Sequence, residues 1–167
     1  SMNHLKQIGL AMHIYADANK NFPPGASRDQ AGKKLLSWRV LVLPYLEQTE
    51  LYNQFHLDEP WDSEHNRKLI DKMPALYASP QLAKAERAQG KTTYLAVAGG
   101  TGVFGQPEGL RIRDVTDGTS NTLMVVDVND QNAVVWTKPD DGVPDENKPL
   151  DQLVGHFPEG FLAAFAD

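Results

Sequence analysis

The sequence predicts an α+β fold, with helices in its first half and an antiparallel sheet in its second. Three observations point there. Leu5, Ile8, Met12 and Tyr15 recur at helical spacing. Prolines at 23, 24, 44, 60 and 74 cut the following stretch into short helical pieces. From about residue 90 the period changes, and runs of β-formers appear at Thr92–Val97 and Thr122–Val128.

The opening helix should end near Asn19-Lys20-Asn21, ahead of Phe22-Pro23-Pro24-Gly25, where two prolines forbid further helix. Ser1-Met2 reads as a remnant of tag removal, and only Asn3 offers a chance N-cap, so a longer helix cut short is the expectation. A native N-terminal helix behind a short scar is the plainer alternative. After a polar stretch from Ala26 to Lys34, Ser37 should cap Trp38–Leu43. Pro44 breaks that run, and Leu46, Leu51, Tyr52 and Phe55 suggest a second piece packing on the first helix. Pro60-Trp61-Asp62 makes a turn, Asp62 or Ser63 caps a helix over Glu64–Met73, and Pro74 closes it.

In the second half, Ala133–Trp136 should pair with Thr122–Val128 as a hairpin across Asn129-Asp130-Gln131-Asn132. Lys138–Leu150 is too rich in Pro, Asp and Asn for a regular element. Gly160–Phe165 reads as a last strand whose partner would be missing. No internal repeat is present.

At 167 residues and 18.5 kDa the chain fits one domain, taken as residues 3–167. With 22 acidic against 16 basic residues the net charge is -6, which repels phosphate backbones and argues against nucleic acid as a partner. The chain has no cysteine, so disulfides and thiolate metal sites are excluded. It also lacks a run of about 18 apolar residues and a visible signal peptide.

Several segments resemble, in order, the large planctomycete family of prepilin-like proteins of unknown function. They are Asn3–His13, Phe22-Pro23-Pro24-Gly25, Ser37–Leu41, Leu43–Gln48, Pro60–Ser63, Thr92-Thr93-Tyr94, Asp117–Thr122, Val135–Asp140 and His156–Asp167. The resemblance covers nearly the whole chain. It implies a pilin-like fold, in which an N-terminal helix packs on an antiparallel sheet. It also implies a prepilin-type signal and an apolar membrane helix upstream of Asn3. Two departures stand out: Ser79 occupies a position where family members often carry Cys, and the ending reads His156-Phe157-Pro158-Glu159-Gly160.

Chemistry-bearing patterns are sparse. Gly100–Gly105 fits G-x-G-x-x-G with Asp127 downstream, but Gln106-Pro107-Glu108-Gly109 follows it and reads as a turn, not as the helix that a dinucleotide site needs. His4, His13, His56, His65 and His156 lack metal-ligand spacing, and Ser120 does not sit in G-x-S-x-G. The best metal candidate is calcium on the acidic loop, with Asp140, Asp141, Asp145 and Asp151 as ligands and Glu146 and Asn147 nearby. Trp61, Trp136 and Lys138 are candidates for a ligand or partner surface, because indoles offer flat apolar faces. Trp38 belongs to the core.

The expectation is therefore a non-enzymatic, pseudopilin-like envelope protein, serving as subunit or accessory of a pilus- or secretion-type assembly. Its partners would be other envelope subunits or further copies of itself. It would be anchored in the inner membrane with its head in the periplasm or at the cell surface. The alternative is an envelope solute- or glycan-binding domain. A hydrolase is the third reading, and it needs one histidine, a carboxylate and a nucleophile brought together. No cofactor beyond the calcium candidate is expected.

Overall fold

The computed structural model describes residues 2–96, 111, 123–141 and 163–165. It is α+β, with an N-terminal helix, short helical pieces and small antiparallel sheets, as in a pilin-like fold. Helix α1, Met2–Asn19, buries Leu5, Ile8, Ala11, Met12 and Ala16. It lies against the sheet and against the 3-10 turn Leu43–Leu46. Lys20 ends it in the left-handed region at φ 69°, and Asn19 Nδ2 donates to the Tyr15 carbonyl at 2.9 Å. One of the last-turn carbonyls thus finds a partner. Phe22, fully enclosed, then pins the chain to the core.

The polar stretch after it holds a hairpin that the sequence reading missed. Strands β1, Ala26–Arg28, and β2, Lys34–Ser37, pair antiparallel. Asp29 Oδ1 accepts from Ala31 N and Lys33 N, both at 2.9 Å, and Gly32 supplies a positive φ of 84°. Ser37 then caps α2, Trp38–Leu41, by accepting from Arg39 N at 3.2 Å. The 3-10 turn carrying Pro44 leads into α3, Thr49–Tyr52.

Ser63 Oγ accepts from Asn66 N at 3.0 Å, but the element starts later than expected, with His65 at its N-cap position and no side-chain cap there. That element, Asn66–Lys72, is a 3-10 helix and not an α-helix. Over so few residues a hydrophobic period does not separate the two windings. A 3-10 turn at Ala75–Tyr77 and α4, Lys84–Ala88, complete the first half.

The expected hairpin does not form. Strands β3, Lys91–Thr92, and β4, Tyr94–Ala96, run in sequence along one line. Opposite β4 lies β5, Leu123–Asp127, and opposite β3 lies β6, Val134–Val135. Val128 N donates to Thr93 O, and Trp136 N to Gly90 O, both at 2.9 Å. The segment 123–136 therefore runs antiparallel to 90–96 throughout, and residues 129–133 bulge out as an excursion around the 3-10 turn Asp130–Asn132. Its turn chemistry is local; the chain returns to the partner it had left. The last strand, β7, Ala163–Phe165, has a partner in β5, so no missing strand is needed to account for it.

Period two sorts the side chains of β4 and β5. Tyr94, Ala96 and Val125 join the main core with Ile8, Met12, Trp38, Tyr77 and Trp136, while Leu95 and Val126 form a second cluster with Val128.

Candidate functional site

Among the described residues a dense polar cluster is centred on Arg39, which the apolar run Trp38-Arg39-Val40-Leu41 carries into the interior with no exposure at all. All three of its guanidinium nitrogens have partners. Nη2 lies 2.6 Å from Asp141 Oδ1, Nε donates to Tyr94 O at 3.1 Å, and Nη1 donates to Ser37 Oγ at 2.8 Å. Longer contacts of 3.4 Å reach the carbonyls of Trp136 and Lys138, and the charge sits 5.1 Å from the Trp38 ring centroid. Asp141 Oδ1 also accepts from Trp38 Nε1 at 2.9 Å and from Ala96 N at 3.0 Å. A buried cation needs a counter-charge and filled hydrogen bonds, and both are supplied. Arginine in an otherwise apolar run was the available signal, because such a residue must either face water or be paired. Its partner, roughly 100 positions away, was not legible.

These contacts bear on the calcium candidates. Asp141 Oδ1 is committed to three donors, and Asp140 lies 3.7 Å from Lys138 Nζ. Asp145, Glu146, Asn147 and Asp151 lie outside the described residues. Among the described residues no group of three or more metal-ligating side chains gathers.

Of the proposed ligand surface, Trp61 and Lys138 come together and Trp136 does not. Trp136 is fully buried, stacks near Tyr77 at 5.9 Å, meets Phe55 edge-on at 5.7 Å, and donates from Nε1 to Ile70 O at 2.9 Å. It is a core residue, unavailable as a recognition edge: Thr137 beside it is fully buried as well, and the indole fills the space under Gly90. Trp61 is half-buried, with Lys138 Nζ 5.7 Å from its ring centroid. That is within cation–π range.

The histidines do not assemble a catalytic set among the described residues. His4 Nδ1 meets the Tyr94 hydroxyl at 3.1 Å, and burial pushes the His4 pKa down. Burial, with Asp127 adding to it and a Ser79 hydrogen bond opposing it, pushes the Tyr94 phenol up. Ser79 and Tyr94 are both fully enclosed, so neither hydroxyl is presented to a substrate. His56 and His65 stack face to face at 3.5 Å and 1°, with Glu59 on His56 and the Gln54 carbonyl on His65. Parallel rings that close cannot both aim an in-plane lone pair at one ion. The glycine-rich run Gly100–Gly105, Ser120 and His156 lie outside the described residues; Asp127, within them, accepts from Thr93 Oγ1 at 2.6 Å.

A family model described as "Protein of unknown function (DUF1559)" matches residues 1–93 and 85–160. The chain belongs to the DUF1559 family. No curated protein and no solved structure matches it. The first DUF1559 match spans α1, the Arg39 segment and Trp61, and the second spans the sheet strands to β6 and Asp141. Both halves of the Arg39–Asp141 pair thus fall within this DUF1559 chain's matched regions.

Proposed function

We propose that this DUF1559 chain is the globular head of a planctomycete prepilin-like, pseudopilin-type envelope protein. It is non-enzymatic and serves as subunit or accessory of a pilus- or secretion-type assembly. An apolar helix upstream of Asn3 would anchor it in the inner membrane, with the head in the periplasm or at the cell surface. The observation that carries this reading is the setting of α1. A single helix of 18 residues lies across β5 and β7, while Leu10, Ile14 and Met2 remain 62%, 42% and 46% exposed on its outer side. Exposed apolar side chains on one element are the kind of surface that subunit contacts consume.

The test is the reading frame upstream of Asn3, followed by fractionation of the full-length protein in cells with and without prepilin peptidase. A cleavage signal ahead of about 20 apolar residues, membrane retention, and a size shift on loss of the peptidase are expected. A frame that starts at Asn3, or a protein found wholly in the cytosol, rejects it.

Trp61 favours a second reading, an envelope solute- or glycan-binding domain, because its half-buried ring lies beside a cation at the surface. A glycan array and a thermal-shift screen of wild type against Trp61→Ala test it. Binding that Trp61→Ala abolishes supports it, and silence across both screens removes it.

A further inference from the structure

In an antiparallel ladder the N–H and C=O of one residue point to the same side, and successive residues alternate. Thr93 O accepts from Val128 N, and Leu95 is opposite Val126, so Thr93 and Leu95 turn toward β5. Tyr94 and Ala96 therefore turn their main-chain groups to the other side. Among the described residues the sheet order β4-β5-β7 leaves β4 at an edge there. An open edge is a template for another strand.

Side chains occupy this one. Tyr94 N donates to Thr92 Oγ1 at 3.2 Å, Tyr94 O accepts from Arg39 Nε at 3.1 Å, and Ala96 N donates to Asp141 Oδ1 at 3.0 Å. Arg39 and Asp141 then hold each other at 2.6 Å. A donor and an acceptor stand where the N–H and C=O of a neighbouring strand would lie.

We propose that the Arg39–Asp141 pair is an edge seal: it keeps β4 from adding a strand, and breaking it opens β4 to the same strand of a second copy of this chain. The two halves of the seal depend on each other. Arg39 has no exposed side chain, whereas Asp141 is 16% exposed at the end of the segment that follows β6. Without the carboxylate the guanidinium is a buried charge lacking a counter-ion, which drives it toward water and pulls Nε away from Tyr94 O. Both edge groups are then free at once.

The occupant follows from the chemistry of the edge. A carbonyl at 94 and an N–H at 96, with side chains alternating between faces, suit an extended strand and not a helix or a small ligand. The edge is also self-complementary. A two-fold axis beside Leu95 sets Tyr94 O of one copy against Ala96 N of the other, and the reverse, which is the isologous contact of a closed dimer.

Wild type, Asp141→Ala and Asp141→Asn are compared by light scattering after size exclusion over a concentration series. Circular dichroism checks folding, and residue-resolved hydrogen exchange follows 93–96. Wild type should be monomeric in this range with a protected Ala96 amide. Asp141→Ala should self-associate at least about tenfold more tightly, with the Ala96 amide exchanging fast when dilute and protected when concentrated. A Thr92–Ala96 peptide should compete for the opened edge, and the same peptide N-methylated at the alanine should not. If Asp141→Ala does not fold, Asp141→Asn, which keeps an acceptor for Ala96 N but removes the charge, carries the same expectation in weaker form. A folded variant that stays monomeric, or one that associates without protecting the Ala96 amide, overturns the proposal.

Discussion

Trp136 donates its main-chain N–H to the carbonyl of Gly90 at 2.9 Å, and this bond resumes the ladder beyond the excursion at 129–133. Gly90 sits at φ 73°, and a β-carbon added there would lie 2.6 Å from Ile70 Cγ2 and 2.7 Å from the Ile70 carbonyl oxygen. The carbonyl is backbone and cannot swing aside. Gly90→Ala therefore combines a left-handed conformation with overpacking, and should cost roughly 2–4 kcal/mol in urea unfolding. Gly32, at φ 84° with open space around it, is the control. Gly32→Ala should cost only about 1 kcal/mol. Equal losses at the two positions would contradict the packing at Ile70.

Arg39→Lys tests the buried pair. Lysine keeps the charge but presents one ammonium where the guanidinium reaches Asp141, Tyr94 O and Ser37 Oγ in three directions. A loss of about 2–4 kcal/mol in unfolding free energy is expected, well above that of an exposed Lys–Asp pair. Lys138→Ala, which removes a surface partner 3.7 Å from Asp140, should change stability by less than about 1 kcal/mol.

Asn66 is the hub of the 56–60 loop. Its Oδ1 accepts from His56 N at 2.9 Å, and its Nδ2 reaches the carbonyls of His56, Glu59 and Pro60 at 2.9–3.1 Å. Asn66→Asp retains the acceptor and turns the donor into a second acceptor facing those carbonyls. It should cost about 2–3 kcal/mol at neutral pH and speed proteolysis within 56–60. An Asn66→Asp protein as stable as wild type would show that the loop is held elsewhere.

How much of this was legible depends on the range of each cause. The face of α1 with Leu5, Ile8 and Met12, the Ser37 cap, and the β-character of 92–96 and 123–127 are written within a few residues, and each is found. The pairing of Val134-Val135 is not local. Asn129–Asn132 has the composition of a reversing turn, yet it returns the chain to the strand it left, because β3 continues the line of β4. The β1–β2 hairpin was hidden by strands of 3 and 4 residues, although Asp29 and Gly32 carried its turn signal. The neighbours of Trp136 left partial exposure open beside the favoured buried packing, and the three-dimensional arrangement puts Gly90, Ile70 and Tyr77 around it.

Two tyrosines predict alkaline behaviour. Burial pushes the Tyr77 phenol far up, against a smaller opposing effect of Arg39, and its hydroxyl donates to the Arg39 carbonyl at 2.8 Å. Tyr94 is raised by burial, with Asp127 adding to the effect. A raised phenol pKa means that the folded chain holds these protons where the unfolded chain releases them. The stabilisation is thus complete below the unfolded tyrosine value of about 10, and is lost as pH climbs above it. Absorbance at the phenolate band should show Tyr77 and Tyr94 silent until the fold gives way, in one cooperative step. Tyr77→Phe should flatten the loss of stability above about pH 10 while lowering stability at pH 7 through the missing bond to Arg39. Smooth titration of all five tyrosines with the fold intact would contradict the enclosure of both rings.

The tryptophans separate the two functional readings without either being assumed. Trp136→Ala removes a fully buried indole packed on Tyr77 and Phe55, and should cost about 3–5 kcal/mol, enough to unfold a marginal domain. A loss of ligand binding in that variant would report unfolding and nothing more. Trp61 is only half-buried and packs at the margin of the core, so Trp61→Ala should cost roughly 1–2 kcal/mol and leave a folded protein. Trp61→Ala is thus the variant in which binding and folding come apart. If a solute or glycan binds, the folded Trp61→Ala protein should lose it by more than about tenfold, since stacking on the ring and charge from Lys138 act at one place. If instead the full-length protein fractionates with its assembly equally well in wild type and Trp61→Ala, the indole is dispensable there, and the outer side of α1 with Leu10 and Ile14 is the surface to mutate next.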